Sequence, residues 1–362
     1  MKTSILFYYR DLYTDVGDGP DVENVIRQSA AIFERVLVVS SATKKRKIDF
    51  PNNVEAITAS TIFHLTALLF SRRNDYRIAH VFCGLIPTIP LIIVILKLLK
   101  KRVVYSSFGQ LLPLGLRRHY FRKKIFTTLL LFPVLRLIDA IHISSNFEGT
   151  NLPKNVTKVK SYLPVFEAKD RLAGLLNREH KEYAFLFFGR FDVWQKGLDI
   201  LMPALASFYI KGGSRKKTCL SGRCSSNEEK KLRELVVQYK LEKFVDIFPN
   251  VTPNERDRLY QSSEFFVHPS RVEGFARSMR DAVSIGLPII TTQDSNAPDN
   301  LKEHQVALTC RFEVTALTAL LWESRDCCPN VNRYADAISE LSPEQVAVPL
   351  INFIKEVAEV ES

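Results

Sequence analysis

Short apolar runs alternate with segments of helical period along almost the whole chain. Ile5 to Tyr9 is the first run. Gly17 and Gly19 follow it, and Val22, Val25, Ile26, Ala30 and Phe33 then recur on one helix face, which predicts strand, glycine loop and helix. Further strands are expected at Arg35 to Ser40, Val54 to Ile57, Ile78 to Phe82, Val103 to Ser106 and Ala140 to Ile143, with helices at Ile62 to Phe70, Leu91 to Leu99 and Leu116 to Leu137. Apolar runs with helices between them describe a parallel sheet covered on both faces.

The cycle restarts after Tyr162 to Arg178, a mixed segment containing Pro164 that reads as a linker. Ala184 to Gly189 opens a second sheet, continued at Lys217 to Ser221, Phe244 to Phe248, Phe265 to His268, Pro288 to Thr292 and Val306 to Thr309. Helices are expected at Gly197 to Tyr209, Asn227 to Tyr239, Pro253 to Ser262 and Ala276 to Ile285, with a last one at Pro343 to Val360. The fold class is therefore α/β, two doubly wound Rossmann-like domains at 1–165 and 166–342 followed by a terminal helical segment, 343–362. A chain of 362 residues exceeds the size at which one core usually keeps growing, which agrees with two.

Composition narrows the class. The 46% hydrophobic and 25% charged residues lie in the globular range. Six irregularly spaced cysteines, with no signal-peptide pattern at the start, fit a reducing cytoplasm, and no Cys pair has a partner pair at zinc spacing. Leu91 to Leu99 is the most apolar stretch, yet Pro87, Pro90 and Lys97 leave fewer than the roughly 18–20 uninterrupted apolar residues of a span. A buried core helix and partial insertion into one face of a bilayer remain as its two readings.

The net charge of +11 is lopsided: residues 1–165 carry 24 Lys/Arg against 11 Asp/Glu, and residues 166–362 carry 26 against 28. Tyr76 to Ile138 holds eleven basic residues and no acid, so that stretch should face an anionic partner. Arg117, Arg118, Arg122, Lys123 and Lys124 interleave with Leu116, Tyr120, Phe121, Ile125, Leu129 and Phe132 at helical spacing, a basic amphipathic helix interrupted late by Pro133. With Lys97, Lys100, Lys101 and Arg102 it suits the anionic inner leaflet of a membrane. A core helix with a solvated charged face is the other reading. Base-stacking motifs, helix-turn-helix spacing and zinc fingers are absent, so nucleic acid is not an expected partner.

Two stretches carry candidate chemistry. Gly189-Arg190 and Lys196-Gly197 follow a buried strand and lead into a helix whose first turn offers free N–H groups, a place where anions collect. Arg190 and Lys196 would hold a diphosphate there; an ordinary surface pair beside a tight loop is the alternative. In the second stretch Glu273 lies in a loop after a strand, Gly274 permits close backbone approach, Phe275, Ala276 and Arg277 lead into a helix, and Asp281 lies inside it. One carboxylate can accept from sugar hydroxyls and the other from a ribose diol, whereas singly each reads as a loop acid or a helix-dipole acid. No Asp-any-Asp triplet occurs, so neither a metal clamp nor any other cofactor is expected.

The order Gly189-Arg190, Lys196-Gly197, Pro269-Ser270-Arg271, Glu273-Gly274-Phe275, Asp281-Ala282 and Gly286-Leu287-Pro288 resembles glycosyltransferase family 4 over the second half of the chain. The family has Glu, seven residues, then Glu; this chain carries Asp281 at the second position, one methylene shorter. The resemblance implies the GT-B fold, two Rossmann-like domains facing across a cleft, and a retaining transfer of sugar from a nucleotide-diphosphate donor to a saccharide acceptor. It implies donor contacts from Gly17, Gly19, Gly189, Gly274, Phe275, Ala276, Arg277 and Asp281, and catalytic roles for Arg190, Lys196 and Glu273. Removal of either cation should then lower turnover more than stability. Ser106 to Leu116 is similar to the acceptor-side loop. Phe108 and Gly109 stand where many members place a histidine, so no catalytic histidine is assigned there. His80 either lines the cleft or is a core histidine. A lipid-linked saccharide acceptor would give the basic first half its purpose, with the enzyme cytoplasmic and peripheral on the inner membrane surface. A sugar-nucleotide epimerase and a non-catalytic partner protein of the same architecture are the competing functions.

Overall fold

The computed structural model describes residues 4–13, 19–41, 47–82, 86–111, 125–143, 146–150, 152, 159–161, 181–273, 276–295, 297, 299–327, 330–340 and 350–357. The chain forms two compact units, Met1–Val165 with Leu341–Ser362, and Phe166–Glu340.

The first unit is built on seven parallel strands: β1 (Ser4–Tyr9), β2 (Arg35–Ser40), β3 (Val54–Thr58), β4 (Ile78–Phe82), β5 (Arg102–Ser106), β6 (Ala140–Ile143) and β7 (Val159–Ser161), in the order β3-β2-β1-β4-β5-β6-β7. The central strands are apolar at nearly every position because helices cover both faces, and all of Ile5, Leu6, Phe7, Ile78, Ala79, Val103 and Val104 are fully buried. The three-residue edge strand β7 was not among the expected strands; Val-Lys-Ser has too little periodicity to mark one.

Helix α1 (Gly19–Ala30) begins at Gly19, while Gly17 lies outside the described residues. Helix α2 (Ile62–Ser71) is capped by Thr61, whose side chain accepts the His64 N–H. Helix α3 (Thr88–Leu98) buries Ile89, Ile92, Ile93, Ile95 and Leu96, which fits the core-helix reading of that stretch, and exposes Leu91 and Leu98. Of the basic segment Leu116 to Leu137, residues 112–124 lie outside the described part. The remainder is a π-helical turn, Phe126–Leu131, continued as α-helix by Phe132–Leu135. The wider π turn sits just before Pro133, which lacks the N–H that a regular ladder would use. Residues 350–357 are helical, and Leu350, Ile351, Phe353 and Ile354 belong to the same buried cluster as the first sheet. No helix among the described residues is long and apolar enough to cross a membrane.

The second unit has six parallel strands, β8 (Tyr183–Phe188), β9 (Lys217–Gly222), β10 (Val245–Pro249), β11 (Ser263–His268), β12 (Ile289–Thr292) and β13 (Ala307–Cys310), in the order β10-β9-β8-β11-β12-β13. Two of its helices open on capping boxes visible as S/T-x-x-E: Ser225 with Glu228 and Thr252 with Glu255. The helix Val314–Glu323, which sequence periodicity did not single out, packs on Leu198–Ile210 through Leu317, Leu320 and Leu321.

One ionic clasp ties helix α3 to the sheet of the first unit. Asp139 accepts Lys97 Nζ at 2.8 Å, Arg102 Nη1 at 2.8 Å and the Val103 N–H at 2.7 Å. Burial would raise its carboxyl pKa, but these donors outweigh burial and hold it below the ordinary range. Asp139→Ala leaves three donors without their acceptor, and we expect a loss of about 2–3 kcal/mol in chemical denaturation.

Candidate functional site

In the second sheet β8 neighbours both β9 and β11, so the chain crosses to opposite sides after β8 and the loops leaving β8 and β11 part at the carboxyl edge. Such a switch point is where doubly wound sheets open a ligand crevice. The loop after β8 is anchored by Gly189 N–H to the Ser221 carbonyl at 3.0 Å and by Phe191 N–H to the Arg223 carbonyl at 3.2 Å. Gly222 makes the first anchor possible: at φ +139° a Cβ there would lie 2.0 Å from the Gly189 carbonyl oxygen. The loop then turns at Asp192, whose side chain accepts the Gln195 N–H at 3.0 Å and whose carbonyl accepts the Lys196 N–H at 2.9 Å.

Gly197 closes the turn at φ +66°, and a Cβ on it would meet the Pro269 carbonyl oxygen at 1.9 Å. The two loops are thus in backbone contact. Arg271 locks them: its N–H donates to the Gln195 carbonyl at 2.9 Å, and its guanidinium reaches both oxygens of Asp199, at 2.7 and 2.6 Å, and the Trp194 carbonyl. The guanidinium also lies 4.3 Å from the Phe312 ring centroid and 5.4 Å from that of Trp194. Sequence reasoning quoted Arg271 without giving it a task; the signal available was an arginine two positions before the loop glutamate.

Within this frame Lys196, buried at 8% exposure, donates from Nζ to Glu273 Oε1. Beneath them His268 is fully buried, with Nε2 3.0 Å from Ser270 Oγ and 3.5 Å from Glu273 Oε1, and its ring is stacked near Phe187 and Phe266. Burial would raise the Glu273 pKa, but the Lys196 ammonium and the His268 contact outweigh it and hold the carboxyl well below the usual range. Burial keeps His268 below its ordinary value, opposed by Glu273 and aided by the Lys196 charge. The result is an ionised carboxylate and an ammonium held side by side at the sheet edge. His268 is a residue that the sequence reading placed only as a strand end.

Arg190 is exposed beside this pair, its Nη2 donating to Gln195 Oε1 at 3.1 Å. Ala276 occupies the N-cap position of the helix Arg277–Ile285, with extended backbone and no side-chain cap. Gly274 and Phe275 lie outside the described residues. Asp281 is the fifth residue of that helix, and its charge is felt by Arg256 and Tyr260 of the helix Pro253–Gln261. Lys196 and Glu273 are joined directly, and among the described residues no hydrogen bond or ion pair joins Asp281 to either. The matched expectation for the two cations also divides. Arg190 is exposed and its loss should spare the fold, whereas Lys196 is buried against Glu273 and its loss should not.

In the first unit His80 is fully buried, bonded through Nε2 to Ser106 Oγ at 2.7 Å and stacked on Phe82 at 3.8 Å between centroids. Ser106 Oγ in turn lies 2.8 Å from His142 Nδ1. Within the first unit His80 is thus held in the core. Phe108 and Gly109 form the turn after β5. Among the described residues no three His, Cys, Asp or Glu side chains come together as a metal-holding group.

Residues 169–321 match the family model of glycosyl transferases group 1. No curated protein matches the chain significantly. Among solved structures, Anabaena HepE in complex with UDP and glucose is similar at 15% identity and TM-score 0.68, over 98% of each chain. Sucrose-phosphate synthase from Thermosynechococcus elongatus is similar at 15% identity and TM-score 0.72, over 99% of this chain and 100% of that one. WaaG, a glycosyltransferase involved in lipopolysaccharide biosynthesis, is similar at 14% identity and TM-score 0.64, over 97% and 99%. These likenesses show the fold: two Rossmann-like domains of the GT-B architecture.

Glu273→Gln leaves the Lys196 ammonium buried against a neutral amide, and we expect a stability loss of about 3 kcal/mol in urea denaturation near neutral pH. Because the folded carboxyl titrates below its unfolded value, its contribution is complete above the unfolded value near ~4.3 and fades as pH falls toward the folded one. The gap between wild type and variant should narrow below about pH 4.

Proposed function

We propose that this chain is a retaining, metal-independent glycosyltransferase, of the hexosyl type, that moves a sugar from a nucleotide-diphosphate donor to a saccharide acceptor. The observation that supports this most is the buried Lys196–Glu273 pair at the switch point of the second sheet, inside the segment that matches glycosyl transferases group 1. Lys196 and Arg190 bind the diphosphate, the lysine as a point charge and the arginine as a planar fork that leaves Gln195 for phosphate oxygens. Glu273 accepts from the hydroxyls of the transferred sugar, and Asp281 from the ribose. The N–H groups at Ala276 and Arg277 complete the cradle, with Gly17, Gly19, Gly189, Gly274 and Phe275 as further donor contacts.

In the reaction the bond from the anomeric carbon to the diphosphate oxygen breaks, and the acceptor oxygen bonds to that carbon on the same face. The acceptor proton passes to the departing phosphate, so no protein nucleophile takes part. Charge develops on the diphosphate, and the two cations act by stabilising that charge more in the transition state than in the bound donor. Lys196 must share its charge between Glu273 and phosphate, which couples sugar recognition to leaving-group binding.

The acceptor is proposed to be lipid-linked, presented at the cytoplasmic membrane surface. The excess of Lys/Arg over Asp/Glu in residues 1–165 supports this, as do the exposed apolar side chains Leu98, Ile125, Leu129 and Leu130 in the same unit.

A thermal-shift and transfer panel of nucleotide sugars tests the reading: one donor should raise the Tm, and radiolabelled sugar should appear in an acceptor product. Arg190→Ala should lower kcat by about 100-fold with the Tm nearly unchanged; unchanged turnover would count against the leaving-group role. An altered donor sugar without any acceptor would indicate an epimerase. Activity should persist in EDTA, and its abolition would show that a metal supplies the charge assigned to Arg190 and Lys196.

A further inference from the structure

The switch points of the two sheets differ in chemistry. In the second sheet the edge carries charge. In the first, the switch falls between β1 and β4, and the strand ends there are aromatic: Tyr9 closes β1 and pairs with Phe82, the last residue of β4, which pairs with Ser106 at the end of β5. Phe108 follows immediately. Its ring packs 5.9 Å from Phe82 at 17° and 6.4 Å from Tyr9 at 76°. Tyr9 and Phe82 are buried, and Phe108 is partly exposed, so of the three it is the one with surface to offer a ligand.

Phe108 holds this place in an unfavourable backbone pose. Its φ is +50°, in the left-handed region where a bulky side chain is strained, and Gly109 follows at +74°. The pose is held from afar. Glu148, fully buried, accepts the Ser107 hydroxyl and, at 2.7 Å, the Gly109 N–H, so the residues on both sides of Phe108 are pinned to one carboxylate. Strain that persists because its surroundings over-determine it concentrates at ligand sites.

We infer that Phe108 is the aromatic platform on which a pyranose ring of the acceptor rests, and that Glu148 is the positioning residue that holds it there. The inference rests on the glycosyltransferase reading and adds to it a place and a chemistry for the acceptor sugar. One face of a pyranose presents axial C–H bonds, weakly positive at hydrogen, which suit the negative face of a phenylalanine ring.

Saturation-transfer NMR on the full chain, with methyl gluco-, galacto- and mannopyranosides as probes and uridine as competitor, tests this. At least one pyranoside should receive saturation, strongest on the protons of one ring face. Phe108→Leu should reduce it about fivefold or more, and Phe108→Tyr should keep it. Glu148→Ala should reduce it at temperatures well below the Tm of that variant, and Glu148→Gln, whose amide oxygen still accepts both bonds, should restore it. Should Glu148→Ala fail to fold, the Phe108 pair decides alone. The proposal is overturned when no pyranoside is saturated, when Phe108→Leu matches wild type, or when uridine displaces the sugar. Thermal shifts by nucleotide sugars on the same preparations separate the two readings: donor binding without pyranoside binding removes the platform only, and absence of both removes the glycosyltransferase reading as well.

Discussion

Parallel pairing is the constraint on which everything else in this molecule depends. When all strands of a sheet run one way, every strand-to-helix loop leaves at the carboxyl edge, and the loops on either side of a switch point diverge. In the second unit this puts the turn ending at Gly197 and the loop beginning at Pro269 side by side although more than seventy residues separate them. Nothing local in either segment demands that meeting. The requirement that both sheet faces be buried demands it, because only helix crossovers satisfy that requirement in a parallel sheet.

The buried ion pair is the chemical consequence. Two opposite charges removed from water are costly unless each meets the other with good geometry. Here the meeting is enforced by backbone rather than by the side chains themselves: Gly197 has no room for a Cβ against Pro269, and Arg271 ties the same loops through Asp199 and the Gln195 carbonyl. A lysine and a glutamate held this way are preorganised, so binding a charged ligand requires little rearrangement, which is where electrostatic stabilisation gains most. The first unit solves a related problem with different materials, pinning a strained turn by a buried carboxylate and lining its edge with rings.

The parts of the fold legible in the sequence were those encoded by period and by local chemistry. Ile5 to Tyr9 and Ala184 to Gly189 read as strands because they are short apolar runs bounded by glycine loops, and the helices at Asn227 to Tyr239 and Pro253 to Ser262 followed from their period. The capping boxes that start them, Ser225 with Glu228 and Thr252 with Glu255, came with the structure. Val159–Ser161 escaped notice because three residues carry no period, and Val314–Glu323 because its apolar positions run almost all the way round the helix. In the candidate site, Arg190, Lys196 and Glu273 were legible as residue types in strand-to-helix loops. Arg271 and His268 were not, since an arginine in a loop and a histidine at a strand end mean nothing until their neighbours are known.

The sequence by itself determined two α/β domains, the polarity of their charge and the identity of the loops that carry ionisable groups, because periodicity and composition act over windows of a few residues to a domain. Only the tertiary structure decided which of those groups meet. It buried Lys196 against Glu273, placed Asp281 where its charge is felt by Arg256 and Tyr260, and put His80 in the core of the first unit. The reason is that a side chain's partners follow from strand order and crossover geometry, long-range quantities that no local pattern contains.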